Sequence, residues 1–260
     1  MLQKDFIKRG LIKIRRYIFR QQFLPVMAGP LQGYRWTTAS SYEYILGNYE
    51  DAETIKIFLS WLKPDSVFYD IGANIGFHAL VANRVISQGK IYAFEPMPAV
   101  LQIFEKHISL NSSQLINNNI KLFPIGISDV EKQVEFSNDE KQKDGNTYIK
   151  ESPVFKKSAY KILVPCYSID GLLAEGYAKP TILKIDVEGA ELDVLHGAVN
   201  TLRECKPNIL LATHDCHLPG VKNNCVHFLQ ELGYKLQHTG NHNKQMIGLD
   251  DYIAIHQSRL

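Results

Sequence analysis

The sequence predicts an α/β protein built on a mostly parallel, doubly wound sheet with helices on both faces. Three observations predict it. From residue 51 onward, short apolar runs alternate with helical patterns, as in consecutive βαβ units. One run, Val67 to Ile71, ends in a glycine turn that opens directly into a helix. The next run ends in an acid, Glu95, about 20 residues after that turn, the layout of a nucleoside-binding sheet edge.

In chain order, Ile7, Leu11, Ile14 and Ile18 fall on one face of a basic helix that ends near Gln22, before the turn-rich Pro25, Gly29, Pro30 and Gly33. Ala52 to Leu62 reads as a helix stopped by Pro64. Val67 to Ile71 reads as a strand and Gly76 to Val85 as a helix. Ile91 to Phe94 is the next strand, Pro98 to about Leu110 the next helix, and Ile120 to Ile125 the third strand. Thr181 to Ile185, Ile209 to Ala212, Tyr234 to His238 and Tyr252 to His256 are later strands, with helices over Ala190–Leu202 and Val221–Leu232. The right-handed crossover rule makes a doubly wound sheet the economical topology. Ser137 to Lys161 breaks the alternation: it is polar and Lys-rich, and its flanks Gln133–Phe136 and Lys161–Pro165 alternate enough to pair as strands. The chain therefore divides into a basic helix and turn-rich extension over 1–50 and one domain over 51–260, with a lid-like insertion at 137–161.

Composition narrows the function. The chain has 260 residues, 45% hydrophobic and 22% charged, which is ordinary globular usage. Residues 1–20 carry seven basic residues against one acid, leaving 22 basic against 26 acidic in the remainder. An acidic body argues against nucleic acid as a partner. The basic helix suits either peripheral membrane contact through residues 1–20 or packing on its own domain. Four sparse cysteines and no long apolar run give the expectation of a cytoplasmic protein, with membrane contact at most peripheral. Nothing in the sequence fixes an oligomeric state.

The chemistry is expected at the carboxyl ends of the strands. Asp70 ends the first strand, Gly72 allows a tight turn and Gly76 opens the helix, so backbone N–H groups can approach a ligand. Glu95 is placed to accept hydrogen bonds from ribose hydroxyls. Asn74 stands where a dinucleotide fingerprint has its second glycine, and Gly76 comes one residue early. The pyrophosphate cradle is thus incomplete, which disfavours NAD(P) and leaves S-adenosylmethionine as the natural cofactor.

These residues carry a resemblance. D-I-G-A-N-I-G-F (Asp70 to Phe77), F-E-P-M-P (Phe94 to Pro98) and L-K-I-D-V-E-G-A-E (Leu183 to Glu191) resemble the FkbM-type S-adenosylmethionine-dependent methyltransferases. L-G-N-Y-E (Leu46 to Glu50), I-G-I-S-D (Ile125 to Asp129) and V-L-H-G-A (Val194 to Ala198) extend it over roughly residues 44–215. The resemblance implies a class I, Rossmann-like, seven-stranded sheet whose last strand, Tyr252 to His256, runs antiparallel. It implies O-methylation of a hydroxyl on a sugar, polyketide or other small or lipid-linked acceptor by in-line transfer, with S-adenosylhomocysteine as product. Carried over, Asp70, Gly72, Asn74 and Gly76 cradle the methionine part, Glu95 binds the ribose, and Ser128 and Asp129 flank the adenine. Asp186 and Glu188 face the sulfonium and acceptor. For Ser128–Asp129 a plain turn is an equal reading; for Glu191 a helix N-terminus suffices.

The fifth strand departs from the family pattern. It reads L-L-A-T-H-D-C-H, with Thr213 in place of an acid, and His214 follows as a candidate general base beside Asp186. The departure leaves room for a catalytically inactive nucleoside-binding scaffold; a nucleic-acid methyltransferase is the other alternative. His214, Cys216, His217, Cys225 and His227 match no familiar zinc spacing, so no metal is assigned. Asp186, Glu188 and Asp215 are the oxygen ligands a Mg²⁺ would use if one were held.

Overall fold

The computed structural model describes residues 23–38, 40, 42–47, 52–138, 147–149, 160–240 and 247–260. The expected basic helix at 1–22, the end of the L-G-N-Y-E motif and most of the expected lid lie outside the described residues. The chain runs β1 (Phe23–Pro25), β2 (Arg35–Thr37), α1 (Tyr42–Leu46), α2 (Ala52–Trp61), β3 (Val67–Ile71), α3 (Phe77–Asn83), β4 (Lys90–Phe94) and α4 (Pro98–Leu110). It continues with β5 (Ile120–Phe123), β6 (Gly126–Ile127), β7 (Lys132–Asn138), β8 (Thr147–Ile149), β9 (Tyr160–Tyr167), α5 (Ile169–Ala174) and β10 (Ile182–Ile185). The last elements are α6 (Glu191–His196), α7 (Val199–Glu204), β11 (Asn208–His214), α8 (Val221–Glu231), β12 (Tyr234–Gly240) and β13 (Leu249–His256).

Seven strands form the central sheet in the order β12-β13-β11-β10-β3-β4-β5. The pairs from β11 to β5 are parallel, and β13 is antiparallel to both β11 and β12, as the α/β reading requires. The central strands are apolar on both faces because helices cover both. Phe68, Ile91, Ile182 and Leu210 pack with α2 and α3, whereas Tyr69, Ile71, Leu183 and Leu211 pack with α6 and α8. Helix α4 spans the predicted range because Pro98 occupies its first turn and Val100, Leu101, Phe104 and His107 share one buried face.

Two predicted elements change form. The single helix expected over Ala190–Leu202 is two, α6 and α7, broken at Gly197. A Cβ there would stand 2.0 Å from the Ser128 carbonyl, so this corner is docked against the loop after β6. The third strand ends at Phe123, and the chain re-forms as β6, which pairs with β9 in a separate four-stranded sheet, β6-β9-β7-β8. The flanks of the expected lid do pair, antiparallel, as β7 and β9.

The stretch before residue 50 shares the main core over its described part. Leu31, Tyr34, Trp36, Tyr44 and Ile45 are buried with Phe77 and Phe104. His107 of α4 is the joint. Its Nδ1 lies 2.9 Å from the Ile75 carbonyl, its Nε2 accepts from the Thr37 N–H at 3.0 Å, and its ring stacks on Trp36 at 4.0 Å. Both ring nitrogens are thus satisfied in the neutral form, and burial holds the pKa down at about 4. The unfolded chain takes up that proton near 6.5, so the stability His107 contributes is present above pH 6.5 and is lost as pH falls towards 4. Urea unfolding of wild type and His107→Gln should differ by a gap that shrinks by about 3 kcal/mol over that interval. A gap independent of pH would contradict the neutral bridge.

Candidate active site

Strand register builds the site. Ile71, Phe94 and Ile185 lie in one row across β3, β4 and β10, so Gly72, Glu95 and Asp186 come next at the same sheet edge. The crossing bonds hold them: Gly72 and Ala73 donate to the Phe94 carbonyl at 3.0 Å, and Asp186 donates to that of Ile71 at 3.1 Å. Gly72 has φ 74, and a Cβ on it would meet the Asp186 carbonyl at 1.8 Å. Glycine is required here because two loops touch backbone to backbone. A cleft of about 600 Å³, open to solvent, lies above this edge. Gly72, Asn74, Glu95, Ile127, Phe136, Asp186 and Glu188 are among its walls.

Glu95 is 5% exposed. Its Oε2 accepts from the Asn74 N–H at 3.0 Å and its Oε1 from the Met97 N–H at 2.9 Å. Burial pushes this carboxyl up to about 7, against those two N–H bonds that favour its ionised form. Asn74 adopts a left-handed φ of 48, and its own Oδ1 accepts from the Ile75 N–H at 2.8 Å, which suits asparagine to that conformation.

Below the cleft floor sits a residue to which sequence reading gave no role. Lys184, in the middle of apolar β10, is 6% exposed. Its ammonium donates to the Gly72 carbonyl at 2.7 Å and pairs with Asp186 Oδ2 at 3.1 Å and Asp70 Oδ1 at 3.8 Å. Asp70 is fully buried, and its Oδ2 accepts from the Ala79 N–H at 3.0 Å at the start of α3. Burial lifts the Asp70 carboxyl to about 6, while Lys184 and the Ala79 N–H pull it down. A lysine inside an I-L-K-I strand is itself the legible signal, since an unpaired buried ammonium is costly.

Strand β11 runs three residues past Leu211, its partner in the row of Ile185, held there by antiparallel β13. His214, its last residue, thereby reaches over the 186–191 turn. Its Nε2 lies 3.5 Å from both Asp186 Oδ1 and Glu188 Oε2. Its Nδ1 is 2.7 Å from Glu191 Oε1, which also accepts from the Gly189 N–H at 2.9 Å. Burial works against a charge on the imidazole, but Glu188, Glu191 and Asp186 together raise its pKa to about 10. Three carboxylates around the ring favour its protonated form, so His214 is poorly suited to take the acceptor's proton unless another cation displaces its own. Glu191 is more than a helix-start acid, since it is fully buried and fixes the His214 ring.

Of the remaining sequence candidates, Gly76 has φ 93 and serves packing, since a Cβ on it would stand 2.0 Å from the Phe104 ring. Ser128 and Asp129 form the turn, with Ser128 donating to Asp129 Oδ1 at 3.0 Å and Lys132 pairing with that oxygen at 2.6 Å. The cleft takes Ile125, Gly126 and Ile127 from that region instead. Asp215 accepts from the Lys222 N–H at 2.7 Å, at the start of α8. Cys225 is buried within α8, and His227 pairs with Glu231 in solvent, so neither joins His214. A second cleft of about 350 Å³ is lined by Thr54, His78, Lys184, Asp186, Asp251 and Tyr252 among others. Asp186 borders both clefts.

A strand-edge cleft with a glycine turn and a buried acid is the layout of a Rossmann-like sheet, and the chain belongs to the methyltransferase FkbM domain family, whose profile matches residues 70–238. Its relatives include the hexuronic acid methyltransferase AglP of Haloferax volcanii, 28% identical over 59% of this chain and 58% of that protein. Methyltransferase sdnD of Sordaria araneosa is 26% identical over 67% of this chain and 76% of its own. The chain thus spans under two thirds of AglP. The crystal structure of a methyltransferase FkbM from Methylobacillus flagellatus shares the fold, with TM-score 0.53 at 18% identity, over 75% of this chain and 44% of that one.

Lys184→Met should cost about 3–5 kcal/mol near pH 8, because it strands two carboxylates. Asp70, already raised in the folded protein, would rise further, so stability is lost as pH climbs through its folded pKa. The deficit should therefore shrink towards about pH 5. Equal deficits by urea unfolding at both pH values would contradict the network.

Proposed function

We propose that this chain is an S-adenosylmethionine-dependent O-methyltransferase acting on a hydroxyl of a small, sugar or lipid-linked acceptor. The observation that carries the proposal is the placement of Asp186, which lines both the larger cleft and the second one. A carboxylate shared by two clefts suits the point where a donor held in one meets an acceptor held in the other.

The residues present fit the cofactor. Glu95 offers a buried carboxylate with lone pairs to spare for two ribose hydroxyls. Gly72 and Asn74 present backbone along the cleft, and Phe77 stands where a longer phosphate loop would need flexible chain. Bound there, S-adenosylmethionine supplies a methyl group already activated by its sulfonium. The chain's own residues then align, exclude water and accept a proton. Asp186 and Glu188 orient the acceptor hydroxyl and take its proton. Lys184 steadies Asp186 through Oδ2, leaving Oδ1 towards the site. A relative named for a hexuronic acid makes sugar acids the first acceptor class to test. The acidic balance of the body disfavours nucleic acid as the substrate.

Calorimetric titration should show saturable binding of S-adenosylmethionine and S-adenosylhomocysteine, weakened at least about tenfold in Glu95→Ala. Ribose hydroxyls need the ionised carboxylate, and its pKa stands at about 7. Affinity should therefore hold above that pH and weaken below it, by up to about tenfold per unit, with Glu95→Gln flat. No saturable binding would remove the proposal. Asp186→Asn should lower turnover about 10²–10⁴-fold with cofactor affinity nearly unchanged; equal loss of both would place Asp186 in the cofactor site instead.

A further inference from the structure

We propose that Asp186, Glu188 and His214 form a divalent-cation site at the mouth of the larger cleft, suited to a first-row divalent cation. One ligand atom from each residue lies within 4.8 Å of the other two, and both carboxylate oxygens stand 3.5 Å from His214 Nε2. Around a cation with bonds of about 2.0–2.2 Å, neighbouring ligand atoms are about 3 Å apart and opposite ones a little over 4 Å. The three atoms are thus already at near-coordinating separations.

Two further observations point to a ligand between them. The His214 side chain is 2% exposed, and its Nε2 makes no hydrogen bond among the described residues although it is aimed between the carboxylates. Its Nδ1 is held by Glu191, itself fully buried and anchored by the Gly189 N–H. A carboxylate on one imidazole nitrogen is the arrangement that orients the other nitrogen towards a metal. Glu188 Oε2 is the second observation: it is buried with no hydrogen-bond partner, even though His217 Nδ1 lies 2.9 Å away. A buried carboxylate oxygen without a hydrogen bond is costly unless a charge satisfies it. Asp186 fits the same scheme, since Lys184 engages its Oδ2 while Oδ1 faces the cluster.

The donor set narrows the cation. One imidazole nitrogen with two carboxylate oxygens is mixed: Mg²⁺ and Ca²⁺ prefer oxygen alone, whereas first-row divalent cations such as Zn²⁺ and Fe²⁺ take both donors, and Mn²⁺ serves as their paramagnetic probe. The site also differs from the oxygen set Asp186, Glu188 and Asp215 that the sequence suggested, because Asp215 is turned to the start of α8. A cation there would face the space where an oxygen-rich acceptor enters, polarising its hydroxyl so that a weak carboxylate base suffices. That role rests on the methyltransferase reading; the binding of the cation does not.

The test is electron paramagnetic resonance of Mn²⁺ titrated into the chelator-stripped, full-length chain. The expected result is loss of the aqueous six-line signal for one equivalent per chain, with spin-echo modulation from one directly bound ¹⁴N. Glu188→Gln and Asp186→Asn should each weaken the uptake at least about tenfold. Calorimetry with S-adenosylhomocysteine reports whether each variant is folded. An undiminished aqueous signal with wild type, bound Mn²⁺ without ¹⁴N coupling, or uptake unchanged in both variants would overturn the site. Mn²⁺ uptake without any cofactor binding would instead sink the proposed function and leave the cation site standing.

Discussion

The buried ammonium of Lys184 is the interaction on which the site depends. It lies under the floor of the cleft and joins two segments that are far apart in the chain: the Asp70–Gly72 end of β3 and the Asp186 end of β10. Asp70 and Asp186 raise each other's energy as like charges, and the cation between them relieves this. Asp70 in turn accepts from the Ala79 N–H in the first turn of α3, where a negative group also complements the helix dipole.

Sheet register explains why so much chemistry collects at one edge. β3, β4 and β10 end in one row, so their following residues present Gly72, Glu95 and Asp186 together. β11 continues past that row because antiparallel β13 pairs with it as far as His214. The extra length places the imidazole above the 186–191 turn, where Glu188 takes a left-handed φ of 58 to face it. Rigid strands thus position the groups, and short loops aim them.

Much of this was legible in the sequence, for identifiable reasons. Alternation of apolar strands and amphipathic helices is a local property, and it placed β3, β4, α4, β10 and α8 within a residue or two of their observed ends. Gly72 and Glu95 were legible because a tight turn and a strand-end acid follow from local chemistry. What was hidden depends on contacts between distant segments. Nothing near Gly197 announces that the Ser128 loop packs there and splits a helix. The Phe104 ring that packs against Gly76 comes from 28 residues away and leaves no trace near it. The carboxylates Glu188 and Glu191 around His214, more than twenty residues upstream, were equally hidden. Lys184 was visible as an anomaly in an apolar strand, but its partners were not.

The central claim is that the edge formed by β3, β4 and β10 is the cofactor cleft. Hydrogen–deuterium exchange with and without S-adenosylhomocysteine tests it most directly. The account predicts slowed exchange over residues 71–76, 94–97, 125–127 and 186–190, with β12 unchanged. Protection confined to other segments, or absent under saturating ligand, would contradict it.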